Sequence, residues 1–111
     1  MAVPTFTLHS WETTPFHVPV WTDTDPTGAT VEFGVVESDD SSNDPASWTA
    51  GTWASSYANG EATAKTPTFG TSESGPTPDI ELTEGTDYRV MCRVRTGTEA
   101  PGGMVAFLKV E

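Results

Sequence analysis

The sequence predicts an all-β fold, a single sandwich of short strands, and three observations lead to that prediction. Apolar and polar residues alternate in runs of about four to nine residues, the spacing of half-buried strands. Turn sequences separate the runs, as at residues 25–28 (Asp-Pro-Thr-Gly) and 59–60 (Asn-Gly). The 111 residues include 19 Thr, 10 Gly and 9 Pro, which favours strands and turns over helices. We therefore expect one domain over residues 1–111, with about seven to nine strands and essentially no helix.

Six alternating runs place the candidate strands along the chain. They share an apolar residue at every second position and cover residues 5–8, 16–21, 30–35, 62–65, 88–95 and 105–108. Pro19 lacks the N–H that a central strand needs, so we expect the second run to lie at a sheet edge or at a bulge. The predicted core comprises Phe33, Val35, Tyr88, Val90, Cys92, Val94 and at least one of Trp48 and Trp53.

The segments between these runs predict turns and loops. Residues 48–53 are typical of two short strand ends around a turn. Residues 37–46 are acidic and rich in Ser, and residues 67–78 are rich in Thr, Ser, Gly and Pro. We expect both of these loops to be exposed and mobile.

The most specific segment runs from Leu82 through Gly85 to Tyr88. It resembles the tyrosine corner of immunoglobulin-like and fibronectin type III sandwiches, where a Leu ends one strand, a Gly turns the chain and a Tyr begins the next strand. The tyrosine hydroxyl there bonds back to the corner backbone, whose polar groups need partners. The resemblance implies an immunoglobulin-like sandwich, in which residues 103–110 form the last strand.

Charge excludes several classes of function. Asp and Glu number 16 and Lys and Arg only 5, a net charge of −11, which opposes electrostatic binding to nucleic acid or to an anionic membrane. No apolar run is long enough to cross a bilayer, and the first residues lack the basic start and apolar stretch of a signal peptide. We therefore expect neither nucleic acid nor membrane among the partners.

Nucleophilic catalysis has no assembled motif in the sequence. Cys92 is the single cysteine and cannot form an internal disulfide, which favours folding in a reducing cytoplasm. It shares a predicted strand face with Val90 and Val94, so we expect a buried thiol that acts as a small hydrophobe. His9 and His17 lie far from it in the chain and outside any catalytic signature. The sequence predicts no enzyme and no cofactor.

Clustered carboxylates offer two candidate metal sites. Asp23 with Asp25, or Asp39 with Asp40 and Asp44, could supply the hard oxygen ligands that calcium prefers. Neither group has the spaced Asp, Asn and Gly residues of a calcium loop that ends in Glu, and the first pair is typical of a turn. A glycosidase also needs two carboxylates, but a sandwich of this size without insertions is a poor host for a cleft. We expect no metal.

The four tryptophans, Trp11, Trp21, Trp48 and Trp53, allow a different kind of function. Exposed indoles stack on sugar rings in carbohydrate-binding modules, whereas buried indoles contribute to the core. A sugar-binding module would need two or more of them coplanar on one exposed face. We favour core positions for at least two.

Basic residues are concentrated near the end of the chain. Residues 1–64 contain nine acidic side chains and no Lys or Arg. Arg89, Arg93 and Arg95 alternate outward from the apolar face of one predicted strand. This basic stripe either pairs with acidic groups of the same domain or contacts the acidic edge of a neighbouring copy.

Four segments in order carry a resemblance to a known group of proteins. They are Asp-Pro-Thr-Gly with Val-Glu-Phe in residues 25–33, Pro-Ala-Ser-Trp-Thr-Ala-Gly-Thr-Trp at 45–53, the Leu, Gly-Thr-Asp-Tyr-Arg-Val and Arg-Val pieces of 82–94, and Pro and Gly before the apolar strand of 101–110. Over residues 18–110 the pattern resembles small β-sandwich virion proteins of tailed phages of actinobacteria. The resemblance implies a non-catalytic capsid decoration or minor capsid protein, made in the host cytoplasm. A head–tail or tail component is the alternative.

Such a role implies particular partners and contacts. We expect the chain to bind the major capsid protein and neighbouring copies of itself, as a homo-oligomer on the particle. Exposed charge pairs contribute only about 0–1 kcal/mol each, so buried apolar area must supply most of the binding. The candidate interface residues are apolar side chains in peripheral segments and the basic stripe: Val3, Phe6, Phe69, Arg89, Arg93 and Arg95.

Overall fold

The computed structural model describes residues 3–41, 44–95 and 102–111, and these residues form strands, turns and no helix. The strands are β1 (Thr5–Leu8), β2 (His17–Trp21), β3 (Thr30–Glu37), β4 (Thr49–Ala50), β5 (Thr52–Trp53), β6 (Glu61–Lys65), β7 (Phe69–Thr71), β8 (Ile80–Leu82), β9 (Asp87–Arg95) and β10 (Gly102–Val110). The all-β, sandwich-like prediction is confirmed. The described strands number ten instead of seven to nine, because the sequence pattern does not reveal the shortest ones.

The largest sheet has five strands in the order β1-β10-β9-β3-β4. β1 runs parallel to β10, and the other neighbours are antiparallel. The register between β9 and β10 shifts between Met104 and Ala106, which leaves Val105 as an extra residue on β10. Such a bulge bends a strand and increases its twist.

Two smaller sheets complete the fold, one of three strands in the order β2-β6-β5 and one of the parallel pair β7 and β8. Sheets of five, three and two strands do not reproduce a clear immunoglobulin arrangement. The expected edge position of Pro19 is confirmed. The Thr22 N–H donates to the Gly60 carbonyl, so the even-numbered residues of antiparallel β2 face β6 and Pro19 faces away. No ladder hydrogen bond is lost there.

The core lies between the inner face of the five-stranded sheet and the smaller sheets. Its members are at most 8% exposed: Leu8, Val18, Val20, Val31, Phe33, Ala64, Phe69, Leu82, Tyr88, Val90, Cys92, Val94, Ala106, Leu108 and Val110. The predicted inward face of Val90, Cys92 and Val94 is therefore confirmed. Val35 is half-buried at the margin of the core. Trp53 also packs partly buried against it, and its indole N–H donates to the Ala29 carbonyl at 3.0 Å.

The outer face of the same sheet is covered as well, which the sequence did not predict. Val36 is 5% exposed and Met91 is 7% exposed, although both point away from the core. Pro45, in the acidic loop, is buried and packs on Gly34 of β3. A Cβ added to Gly34 would lie only 2.5 Å from the Pro45 Cβ. Pro45 of the loop at residues 37–46 is thus packed on the sheet, whereas the other described residues of the loop are exposed, as predicted.

The tyrosine corner is present in the structure. The Thr83 backbone N–H donates to the Tyr88 hydroxyl at 2.9 Å. Gly85 has a φ of +80°, a left-handed conformation that glycine adopts without strain, and its N–H donates to the Val110 carbonyl. The corner thereby joins β8 of the two-stranded sheet to β9 of the five-stranded sheet without leaving these groups unpaired.

The segment of residues 67–78 differs most from its prediction. Residues 69–71 form β7 and are buried, and Phe69 is 0% exposed. The Phe69 ring packs at a tilt against Phe16, with their centroids 5.9 Å apart. Phe69 is therefore a core residue, and its assignment as an exposed interface anchor is wrong. Exposed positions concentrate further along, at residues 72–77.

Candidate docking cleft

A cleft of about 580 Å³ opens between β2 and the first half of β10. The β2 side contributes Val20 and Trp21, and the β10 side contributes Met104 and Val105. Val3 and Pro26 also line the cleft, and the core residues Cys92 and Val94 form its floor. The walls are thus mainly apolar, as in binding clefts generally.

The pairing of β10 explains why the cleft is there. β1 pairs only with Phe107–Val110, and the line of pairing ends where the Phe107 N–H donates to the Pro4 carbonyl at 2.9 Å. Among the residues that the structure describes, no strand pairs with β10 over residues 102–106 on that side. β2 approaches this free edge but belongs to another sheet. The gap between the two strands is the cleft.

Two of the large exposed hydrophobic side chains flank this opening. Trp21 is 39% exposed and Met104 is 36% exposed. Trp21 follows the alternation of β2 and points outward beside the cleft. Scattered exposed apolar residues are ordinary on a protein surface, but two of them beside a concave apolar site make this cleft the candidate binding surface.

The ionisable groups of the cleft do not form a catalytic pair. Burial raises the pKa of the Cys92 thiol to about 12, so almost no thiolate is present at neutral pH. Hydrogen bonds from the Thr27 hydroxyl and N–H lower the pKa of Asp25, so this carboxyl is a fixed anion. Neither group has a pKa near 7, where general acid–base catalysis is most efficient. Asp25 and Cys92 are the only titratable residues among the described lining.

Of the candidate metal ligands, the Asp25 carboxylate takes part in a local turn, and Asp40 makes a contact through its backbone. The Asp25 carboxylate accepts from Thr27 at 2.6 and 2.9 Å, which is an Asx-type turn. The Asp40 backbone carbonyl accepts from the Arg89 guanidinium at 2.6 Å. The described residues contain no group of three or more His, Cys, Asp or Glu side chains arranged to hold a metal ion.

The basic stripe makes contacts within the domain. The Arg93 Nε lies 2.8 Å from a Glu32 carboxylate oxygen, and its guanidinium carbon stands 4.3 Å above the centre of the Trp48 ring. The Arg95 side chain is half-exposed, with Nη1 3.9 Å from the same Glu32 oxygen. These contacts match the internal pairing that the sequence allowed. A role for the three arginines in an interface stays a prediction. Of the two that contact Glu32, Arg95 is more exposed than Arg93.

The remaining predicted interface residues occupy different environments. Val3 is half-buried and lines the cleft. Phe6 is half-buried in β1, where its ring stacks on Phe16 with centroids 4.6 Å apart. The cleft therefore includes one of the six predicted residues and adds Trp21 and Met104, which sequence reasoning did not combine. Alternation along β2 predicts that the Trp21 side chain points away from the core. Nothing in the local sequence indicates that it lies near Met104.

The tryptophans do not all share one surface. Trp11 is 68% exposed and stacks on His9, with centroids 4.6 Å apart and planes 7° apart. His9 lies 3.8 Å from Glu111, beyond the last residue of β10, whereas Trp21 lies beside the first residues of that strand. The nine residues of β10 span roughly 30 Å, at about 3.3 Å per residue. The two most exposed indoles therefore lie at opposite ends and form no common platform.

No protein-family model, no curated protein and no solved structure matches this chain. Within the described ranges, no helix of the length and apolar character needed to span a membrane is found. The function must therefore be inferred from the residues and their geometry.

Proposed function

We propose that this chain is a non-catalytic structural protein of a tailed-phage virion, attached to the head shell in many copies as a decoration or minor capsid protein. The phage context comes from the four-segment sequence pattern. The observation that supports a binding role is the cleft between β2 and β10, which combines mainly apolar walls with two exposed large side chains, Trp21 and Met104.

Attachment through this cleft fits the energetics of protein interfaces. Burying apolar surface contributes roughly 25 cal/mol per Å², so covering Trp21, Met104 and their neighbours supplies binding energy that exposed ion pairs do not. Aromatic and Met side chains are enriched at the centres of such interfaces. The arginine stripe is mostly engaged within the domain, so it contributes less than the apolar cleft.

The net charge suits a protein that accumulates before assembly. Copies that each carry −11 repel one another and stay soluble at high concentration. A shell protein that offers complementary charge would overcome this repulsion on docking.

A sugar-binding module is less well supported than a structural protein. Such a module needs coplanar exposed indoles, but Trp11 and Trp21 lie at opposite ends of the molecule. Trp53 packs against the core, and Trp48 lies beneath the Arg93 guanidinium.

Mass spectrometry of purified virions from the phage that encodes this chain tests the proposal. We expect a copy number of the same order as the major capsid protein. About six or twelve copies, the number expected of a symmetric ring, would move the protein to the neck or tail. Absence from the purified particle would refute a structural role in the virion.

A further inference from the structure

We infer that the cleft between β2 and β10 binds an extended segment of a partner protein that pairs with the free edge of β10 and carries Lys or Arg beside alternating apolar residues. The inference rests on the proposed function and names the kind of segment that the shell protein would present. It depends on three features of the cleft: a free strand edge, apolar walls and an anion without a cation in the lining.

The free edge lies on β10 and not on β2. Among the described residues, β10 has a strand partner between Gly102 and Ala106 on the β9 side only, and none of these five residues is proline. β2 also lies at a sheet edge, but Pro19 occupies an outward-facing position there and removes one N–H donor. Edges blunted by proline are poor templates for strand addition. An added strand would therefore continue along β10 where β1 stops.

The walls on both sides of that edge suit an alternating segment. Every second side chain of an extended strand points to the same face, so one set would enter the cleft between Val20 and Val105. Trp21 and Met104 would cover the entering side chains from the rim. Apolar side chains in the cleft would thus give the partner its register.

The charge of the cleft indicates the polar residues of the partner. Asp25 lies in the lining with a lowered pKa, and the Thr27 hydrogen bonds hold the carboxylate in place. No Lys or Arg is among the described lining residues. A cation on the incoming segment therefore meets an anion that has no internal salt bridge among the described side chains.

A second copy of this chain is a poorer occupant. Each copy carries −11, which opposes close approach. Among its few cations, Arg93 is already paired with Glu32 and stacked on Trp48, and Arg95 lies 3.9 Å from the same Glu32 oxygen. The cleft therefore fits a basic partner better than it fits this chain itself.

The test uses the intact purified chain and two blocked synthetic peptides, Lys-Val-Thr-Val-Thr-Val-Lys and the same peptide with Glu at both ends. Nitrogen-15 NMR follows the Trp21 indole and the amides of residues 103–105 during titration. We expect the Lys peptide to shift these signals saturably. One ion pair between a peptide Lys and Asp25 should make it bind about two- to fivefold more tightly than the Glu peptide. Trp21→Ala should weaken binding by about tenfold or more, whereas the matched control Trp11→Ala should bind normally.

A third peptide separates strand pairing from simple apolar contact. It is made in two versions, each with N-methyl groups on every second amide, so that in one version the methylated amides face β10. Both versions keep every side chain. We expect at least one version to abolish binding, because methylation removes the donated hydrogen bonds. Equal binding of all methylated forms would overturn strand addition.

Other outcomes overturn the inference without touching the proposed function. They are no saturable shift with the Lys peptide, shifts that map away from the cleft, tighter binding of the Glu peptide, dimerisation through the cleft, or displacement of the peptide by a soluble oligosaccharide. Each can occur while virion mass spectrometry still finds the protein on the particle. Conversely, the peptide can bind as expected even if the protein is absent from virions.

Discussion

The two ends of β10 lie in opposite environments. At its last residues, β10 is flanked by β1 and β9, the tyrosine corner caps it, and the side chains that face the core are buried. We call this region the sealed end and define it by Leu8, Phe69, Tyr88, Leu108 and Val110, all at most 7% exposed. At its first residues, β10 is not paired with β1 and contains the bulge at Val105. We call this region the open end and define it by Val3, Trp21, Met104 and Val105.

The difference between the ends separates stability from recognition. At the sealed end, the Gly85, Val110 and Glu111 N–H groups each find a backbone carbonyl, and the apolar side chains are dry. At the open end, Trp21 and Met104 remain partly exposed to water, so they contribute less to the stability of the sandwich than the buried side chains of the sealed end. Changes at the sealed end should therefore unfold the protein, and changes at the open end should alter binding.

The largest effect is expected from Phe69→Ala at the sealed end. Removing this fully buried ring should lower the free energy of unfolding by about 3–5 kcal/mol, through lost burial and the cavity left against Phe16. Chemical denaturation measures the change. The matched open-end variant Trp21→Ala should cost about 1 kcal/mol or less. Equal losses at both sites would contradict the division between the ends.

The floor of the open end is tested by alkaline pH. Because the folded pKa of Cys92 is raised to about 12 from an ordinary value of 9.0, the unfolded chain loses this proton first as the pH rises. Below pH 9 the buried thiol makes its full contribution to the free energy of unfolding. Above pH 9 this contribution falls by about 1.4 kcal/mol per pH unit until the folded pKa is reached. Unfolding curves of the native chain and of Cys92→Ala should therefore converge between pH 9 and about 12. A constant difference between them would show that water reaches the thiol.

A smaller effect is expected from the tyrosine corner. Tyr88→Phe leaves the ring in place and removes only the hydroxyl that accepts from the Thr83 N–H, so the cost should be about 0.5–1.5 kcal/mol. Tyr57→Phe is the matched variant at the open end, where the hydroxyl donates to the Thr22 carbonyl at 2.8 Å. We expect Tyr57→Phe to cost less, because Tyr57 is more exposed. A larger cost for Tyr57→Phe in denaturation experiments would reverse the comparison.

The smallest effect concerns Asp25 at the rim of the open end. The Thr27 hydroxyl and N–H lower the pKa of Asp25 below its ordinary value, so its contribution to stability is present above that value and is lost as the pH falls through the folded pKa. Asp25→Asn should therefore differ from the native chain at neutral pH and match it in strong acid. NMR titration of the carboxyl checks the direction directly; an ordinary or raised pKa would contradict it.

The parts of the fold that the sequence predicted are those with a local signal. Alternation of apolar residues predicts β1, β2, β3, β6, β9 and part of β10. The spacing from Leu82 to Tyr88 predicts the corner because the Tyr88 hydroxyl bonds to Thr83, five residues away. Phe69 was misplaced because its neighbours Pro67, Thr68 and Gly70 are typical of a loop. Its burial depends on Phe16, more than fifty residues away.

The candidate site was only partly predictable for the same reason. Val3 was selected as an apolar residue in a peripheral segment, which alternation and composition can show. The cleft itself arises where β1 stops along β10, and neither Trp21 nor Met104 carries a sign of the other in the local sequence. The burial of Val36 on the outer face of the five-stranded sheet is likewise not predictable from the sequence, because Val35 and Val36 are equally apolar neighbours.

Amide hydrogen exchange along β10 tests the division between the two ends most directly. The amides of Leu108 and Val110 should exchange only through global unfolding, because they are sealed between β1 and β9. The amides of residues 103–105 should exchange through local opening, with protection at least about tenfold lower. Uniform protection along the whole strand would show that the open end is as firmly held as the sealed end, and would contradict the account.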